Sequence, residues 1–153
     1  MDNRLDFKAE VGASSFVARL KGDSKDAIIT ELIDALHRDG KLPDRDEALR
    51  AVMDREATMS TGLEYGVALP HGKSSTVGKL VAVFGVKPEG VDFKALDGSP
   101  SVLFVLVVSA VNQVEPHMQF LGALGRSLMR PAVRAKWLEA TNISDVVDAL
   151  FEN

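Results

Sequence analysis

Cysteine is absent from the 153 residues, which excludes disulfides, thiolate metal sites and a cysteine nucleophile within the chain. Long apolar runs are absent too. The longest, residues 102–108, stops at Ser109, far short of the ~20 residues that a membrane-crossing helix requires, so no direct membrane insertion is expected. Nor is there an excess of positive charge: the formal net charge is -4, with scattered lysines and arginines. That gives none of the basic field a phosphate backbone needs, and argues against nucleic acid as a partner. Residues 1–6 lack both the basic and the apolar region of a secretory signal, and a cytoplasmic location is the expectation. No repeat, low-complexity tract or linker interrupts the sequence. With 46% hydrophobic residues it is read as one domain, residues 1–153, with a core of its own.

What is present is a succession of alternating patterns. Residues 15–20 read as a short strand, broken by Lys21-Gly22-Asp23. A helix capped by Asp23 or Ser24 should then run to about Arg38, because Ile28, Leu32 and Leu36 recur at helical spacing and Gly40 stands at a left-handed cap position. Asp44 followed by Glu47 has the order of a capping box and opens a second helix ending near Thr58. Residues 60–66 are turn chemistry, and Val67-Ala68-Leu69 before Pro70 is a brief extended segment with His71 at its end. Residues 79–87, 91–93 and 102–108 read as strands of a sheet covered on both faces. Pro116 suits the first position of a helix with the inward stripe Phe120, Leu121, Leu124 and Leu128, which puts His117 in its first turn. Two shorter helical stretches follow, residues 132–140 and one capped by Ser144. Helices at both ends of the chain around central strands define an α/β fold.

The chemistry concentrates between Arg55 and Lys73, which hold an arginine, hydroxyls at Ser60 and Thr61, several glycines and His71. A histidine between Pro70 and Gly72 has a fixed backbone before it and an unhindered one after it, so its ring is expected to face outward near loop amides. An imidazole with an unperturbed pKa of about 6.5 is largely neutral at cellular pH and able to attack phosphorus or bind a metal. A phosphoryl group on it brings close to two negative charges, for which Arg55 offers a planar fork of donors and Ser60 and Thr61 neutral ones. Arg55 also suits a plain role as a helix C-terminal cation. His117, at a helix start, is disfavoured from protonation and is read either as a hydrogen-bond partner of His71 or of a phosphate oxygen, or as a packed residue without a task. His37, beside Arg38 at a helix end, fits a structural role. Residues 66–74 resemble a nucleotide P-loop only loosely: one residue too many separates the glycines, and Pro70 removes an amide. A metal site would need at least three converging ligands, and none is supported.

Taken together, the pattern T-G-x-x-x-G-x-A-x-P-H-G from Thr61 to Gly72, the stretch from Val91 to Gly98 and the helix-start sequence His117-Met118-Gln119-Phe120-Leu121 resemble the fructose/mannitol type enzyme IIA domains of the bacterial phosphotransferase system, a family that includes the nitrogen-regulatory IIA proteins. The likeness runs in order over nearly the whole chain. It implies a mixed central sheet flanked by helices on both sides, a phosphate-accepting histidine at His71 modified on Nε2, a second active-site histidine at His117 and an active-site arginine at Arg55. It implies no cofactor. The donor would be a small histidine-phosphorylated carrier protein, and the acceptor either a IIB component or, in the nitrogen-related branch, a regulatory target protein. Two positions depart from the family pattern: Glu64 stands where many relatives have glycine, and Ala110-Val111 where alanine-proline is common. A carboxylate at Glu64 is expected to point to solvent.

Overall fold

A computed structural model describes residues 6–151; the N-terminal reading falls mostly on residues 1–5, outside the described part. The element order is α1 (Phe7–Gly12), β1 (Ser15–Val17), α2 (Lys25–Arg38), α3 (Arg45–Thr58), a 3-10 turn (Glu64–Gly66), β2 (Val67–Ala68), β3 (His71–Ser74), β4 (Val81–Val91), β5 (Ser101–Ala110), α4 (Val114–Leu128), α5 (Pro131–Leu138) and α6 (Ile143–Phe151).

Local signals set most of the boundaries. The Ser24 hydroxyl accepts from the Ala27 amide to start α2, and Asp44 accepts from the Glu47 amide to start α3. Gly40 follows α2 at φ +74, the left-handed cap a side chain would resist. Some expectations need correction. Helix α4 starts at Val114, ahead of Pro116, and α6 is capped by Asn142, whose side chain accepts from the Asp145 amide at 2.9 Å, not by Ser144. Residues 91–93 are no separate strand, because β4 continues to Val91 through an irregularity after Val86. Helix α1 has no counterpart in the sequence reading: it is short, and only Val11 of it is buried.

The sheet is mixed, in the order β1-β4-β5-β2, with β3 also on β5. Strand β4 runs antiparallel to β5, while β1 is parallel to β4 and β2 and β3 are parallel to β5. Val67 pairs with Leu103 and His71 with Val107, the same offset, so β2 and β3 are one edge strand interrupted at Leu69-Pro70. Pro70 has no amide to give the ladder, which an edge tolerates, and its carbonyl still accepts from the Val107 amide at 3.1 Å.

Both faces of the sheet are covered. Leu103, Val105 and Val107 of β5 pack with Phe120 and Leu124 of α4, Trp137 of α5 and Leu150 of α6. The alternate residues Phe104, Leu106 and Val108 pack with Ile29, Leu32 and Leu36 of α2 and Val52 of α3. This period-two division decides what the edge strand shows to each side. Residues paired in register share a face, so His71, opposite Val107, looks toward α4, and Gly72, opposite Val108, looks toward α3. A Cβ on Gly72 would lie 2.9 Å from the backbone of Ala51 and Val52; glycine is what lets β3 lie against α3.

Candidate functional site

His71 opens β3 and is half-buried. Its Nδ1 lies 2.8 Å from the Leu69 carbonyl. A carbonyl only accepts, so Nδ1 carries the proton and Nε2 keeps its lone pair. The anchor residue is itself held: the Leu69 amide donates to the Thr61 carbonyl at 3.0 Å. Burial pushes the His71 pKa below its ordinary value; the bond to Leu69 and the charge of Glu56 act against this, and the cations Arg55 and Lys73 add to it. The ring is therefore neutral at pH 7, with the Nε2 lone pair free.

Helix α4, returning across the sheet after β5, brings His117 alongside. The ring centroids of His71 and His117 are 5.4 Å apart. His117 is buried, at 4% exposure, and its pKa is pushed down to about 4 by burial, then by His71 and Lys73. Its Nδ1 is 2.5 Å from Ser109 Oγ.

A recess of about 420 Å³ is lined by Ala51, Arg55, His71, Gly72, Lys73, His117 and Met118. The structure thus brings together Arg55, His71 and His117. Arg55 serves partly in its plainer role as well, since its guanidinium donates to the Met59 carbonyl at 3.0 Å.

Ser60 and Thr61 lie elsewhere. Ser60 Oγ donates to the Phe93 carbonyl and accepts from the Gly62 amide. Thr61 is buried, and its amide and hydroxyl both donate to the Glu56 carboxylate, at 2.9 and 2.5 Å. Neither residue lines the recess. Glu56 also pairs with Lys25 at 2.8 Å. Burial raises the Glu56 pKa, but the bonds from Lys25 and Thr61 outweigh it and hold the carboxyl below its ordinary value.

Glu64 is exposed, as expected, and borders a separate apolar recess with Leu63, Tyr65, Val67, Leu96, Leu128 and Met129. His37, in the last turn of α2, stands apart from the site. Leu69 belongs to the core, whereas Met59 is 66% exposed. Sequence reasoning missed Ser109 and the part of Lys73. A period-two count along β3 would have put Lys73 on the face of His71; nothing local marks Ser109, which reaches the site through its pairing with Lys73. Among the described residues no group of three or more His, Asp or Glu is placed to hold a metal, and no helix is long and apolar enough to cross a membrane.

A neutral imidazole nitrogen beside two cations and a second imidazole, all lining one recess, suits reversible capture of a phosphoryl group. The molecule is built as a carrier with a histidine handle. Residues 13–153 match the family model of the phosphoenolpyruvate-dependent sugar phosphotransferase system, EIIA 2, and the chain belongs to that family: it is a phosphotransferase-system EIIA phosphocarrier, a class that transfers phosphoryl groups through histidine. It is 39% identical over 129 residues to the PTS system fructose-specific EIIA component of Haloferax volcanii, covering 84% of each chain. Its fold matches the nitrogen regulatory protein IIA-Ntr of Neisseria meningitidis, with TM-score 0.82, 26% identity and coverage of 92% of this chain and 94% of that one. It also matches the Escherichia coli complex of enzyme IIA-mannitol with phosphorylated enzyme IIB-mannitol, with TM-score 0.76, 24% identity and coverage of 92% and 96%.

Proposed function

We propose that His71 Nε2 accepts a phosphoryl group from a histidine-phosphorylated carrier protein in the cytoplasm and passes it to a IIB component. The observation that supports this is the fixed tautomer of His71: with Nδ1–H held on the Leu69 carbonyl, the lone pair at Nε2 is available without any prior proton transfer. In an in-line displacement the bond from Nε2 to phosphorus forms as the bond from phosphorus to the donor imidazole breaks, and the donor ring leaves neutral. No proton need move in either direction. Such chemistry rests on positioning and on charge stabilisation. Arg55 and Lys73 supply positive charge at the recess, and His117, kept neutral, supplies a hydrogen-bond donor. Ser60 and Thr61, named as phosphate donors from sequence, have their hydroxyls engaged by the Phe93 carbonyl and the Glu56 carboxylate.

The test is incubation of the chain with phosphoenolpyruvate, enzyme I and the carrier protein, followed by intact-mass measurement. The expected result is a gain of one phosphate, labile in acid and stable in alkali, that His71→Ala abolishes. No gain in the unmodified chain would sink the proposal.

A second reading keeps the same first step but ends differently: the phosphorylation state controls binding to a target protein and no sugar is moved. The likeness to the nitrogen regulatory fold, at TM-score 0.82, supports it. The sequence favours the sugar branch, with 39% identity to the fructose-specific relative against 26% for the nitrogen regulatory one. Transfer of label from the phosphorylated chain to the IIB domain of a fructose-specific system separates the two.

A further inference from the structure

Ser109 lies at the end of β5, 1% exposed. The alternation that turns Val105 and Val107 toward α4 turns Ser109 the same way, and its Oγ stands 2.5 Å from His117 Nδ1. Among the described residues this is the one hydrogen bond of that hydroxyl and the one hydrogen bond of that ring. A hydroxyl can donate or accept, and a neutral imidazole has one nitrogen of each kind, so the direction of this bond decides the tautomer of His117. Were Nδ1–H to donate to Ser109, the serine proton would be left buried with no acceptor, a cost that native structures avoid. The serine proton therefore points at Nδ1, and the imidazole proton sits on Nε2. The rings of His71 and His117 then hold opposite tautomers: His71 has Nδ1–H on a carbonyl and a bare Nε2, while His117 has a bare Nδ1 under a hydroxyl and a proton on Nε2.

We infer that Ser109 is a positioning residue for phosphoryl transfer, its hydroxyl locking His117 in the Nε2–H tautomer so that this ring donates a hydrogen bond to the phosphoryl group on His71. The inference rests on the phosphocarrier reading for its purpose, but the tautomer itself does not. Ser109 touches neither the phosphoryl group nor the nucleophile. It acts through His117, and the lock matters because the two rings share one recess: a His117 of the other tautomer would present a lone pair to the phosphoryl oxygens and repel them.

Nitrogen-15 NMR of the unmodified chain at pH 7 reads the tautomer directly and needs no phosphoryl transfer. It should show a protonated Nε2 and an unprotonated, hydrogen-bonded Nδ1 for His117; a protonated Nδ1 overturns the inference whatever the variants do. In Ser109→Ala the His117 signals should move toward a tautomer mixture. Transfer from phosphorylated His71 to the IIB domain of a fructose-specific system should slow roughly tenfold, the worth of one buried hydrogen bond, while acceptance from the carrier protein persists. Ser109→Thr keeps the hydroxyl and should restore both readouts. In a His117→Ala background, Ser109→Ala should cost nothing further, because the residue it positions is gone. An undiminished tenfold loss there would show an ordinary structural role, and a Ser109→Ala protein that keeps the Nε2–H tautomer or transfers at the full rate would also overturn the inference. Failure of the unmodified chain to take phosphate at all would count against the phosphocarrier reading and leave the NMR result to judge the lock.

Discussion

The segment from Arg55 to Lys73 contains two regions built from similar polar residues and put to different uses. Glu56, Ser60 and Thr61 turn inward: the Glu56 carboxylate gathers two donors from Thr61 and one from Lys25, and Ser60 ties the turn to the Phe93 carbonyl. Arg55, His71 and Lys73 turn outward to one recess. Both regions depend on hydrogen bonding, but the first uses it to fix a backbone and the second leaves an atom free to react. A polar signature in a sequence is therefore no direct map of ligand contacts. The Ser60 and Thr61 hydroxyls, which look like phosphate donors, are engaged by the Phe93 carbonyl and the Glu56 carboxylate.

If this division is right, substitutions in the inward region should lower stability and those in the outward region should lower transfer. The largest effect expected is from Glu56→Ala, which removes the partner of a largely buried ion pair and strands the Thr61 donors: a loss of about 3 kcal/mol in urea unfolding, with phosphate acceptance intact in the protein that remains folded. A fall in acceptance without a fall in stability would erase the distinction.

The next largest effect is in pH. The His117 pKa is about 4 in the folded chain against about 6.5 unfolded, so between those values the unfolded state binds the extra proton. Stability should thus decline as pH falls from 6.5 toward 4, on the order of 2 kcal/mol, and His117→Phe should flatten that stretch of the curve. The Glu56 contribution behaves separately. Its folded pKa is lowered, so its stabilisation is complete above the ordinary carboxylate pKa and is lost only as pH drops through the lower, folded value. Unfolding followed against pH should show these two windows, and a flat curve above pH 4.5 would deny that the imidazoles are held neutral.

Arg55→Ala should slow phosphoryl transfer roughly tenfold to a hundredfold, the range for losing a charge-assisted contact, while shifting stability by about 0.5 kcal/mol or less, as for other surface changes. Rapid-quench kinetics beside a melting curve would check both halves of that statement. The smallest effect is that of Ser60→Ala, about 1 kcal/mol of stability with transfer unchanged; slowed transfer here would return Ser60 to the phosphate.

The parts of the molecule legible from sequence are those governed by neighbours in the chain. Ser24, Gly40 and Asp44 bound α2 and α3 where caps belong, and the continuous apolar run of β5 announced a strand buried on both faces. The convergence of Arg55, His71 and His117 was one of the alternatives that the residue types left open, and resemblance to a family selected it, since no local rule joins residues on α3, β3 and α4. What stayed hidden was settled across the fold. Glu47 follows Asp44 in capping-box order, yet its carboxylate accepts from Ser74 and Ser75 at the end of β3. Glu56 finds Lys25 across the interface of α2 and α3. Ser109 finds His117 because β5 alternates and α4 doubles back. The break between β2 and β3 was half visible: Pro70 marks the interruption, but only pairing with β5 shows that the strand resumes in the same register.

The most direct test of the central claim is to locate the phosphate on the phosphorylated wild-type chain, by proton, nitrogen-15 and phosphorus-31 NMR in alkaline solution. The result expected is a phosphorus coupled to Nε2 of His71, with Nδ1 of that ring still protonated and bonded to the Leu69 carbonyl. A phosphate on Nδ1 of His71, on His117, or as an acid-stable ester on Ser60 or Thr61 would contradict it.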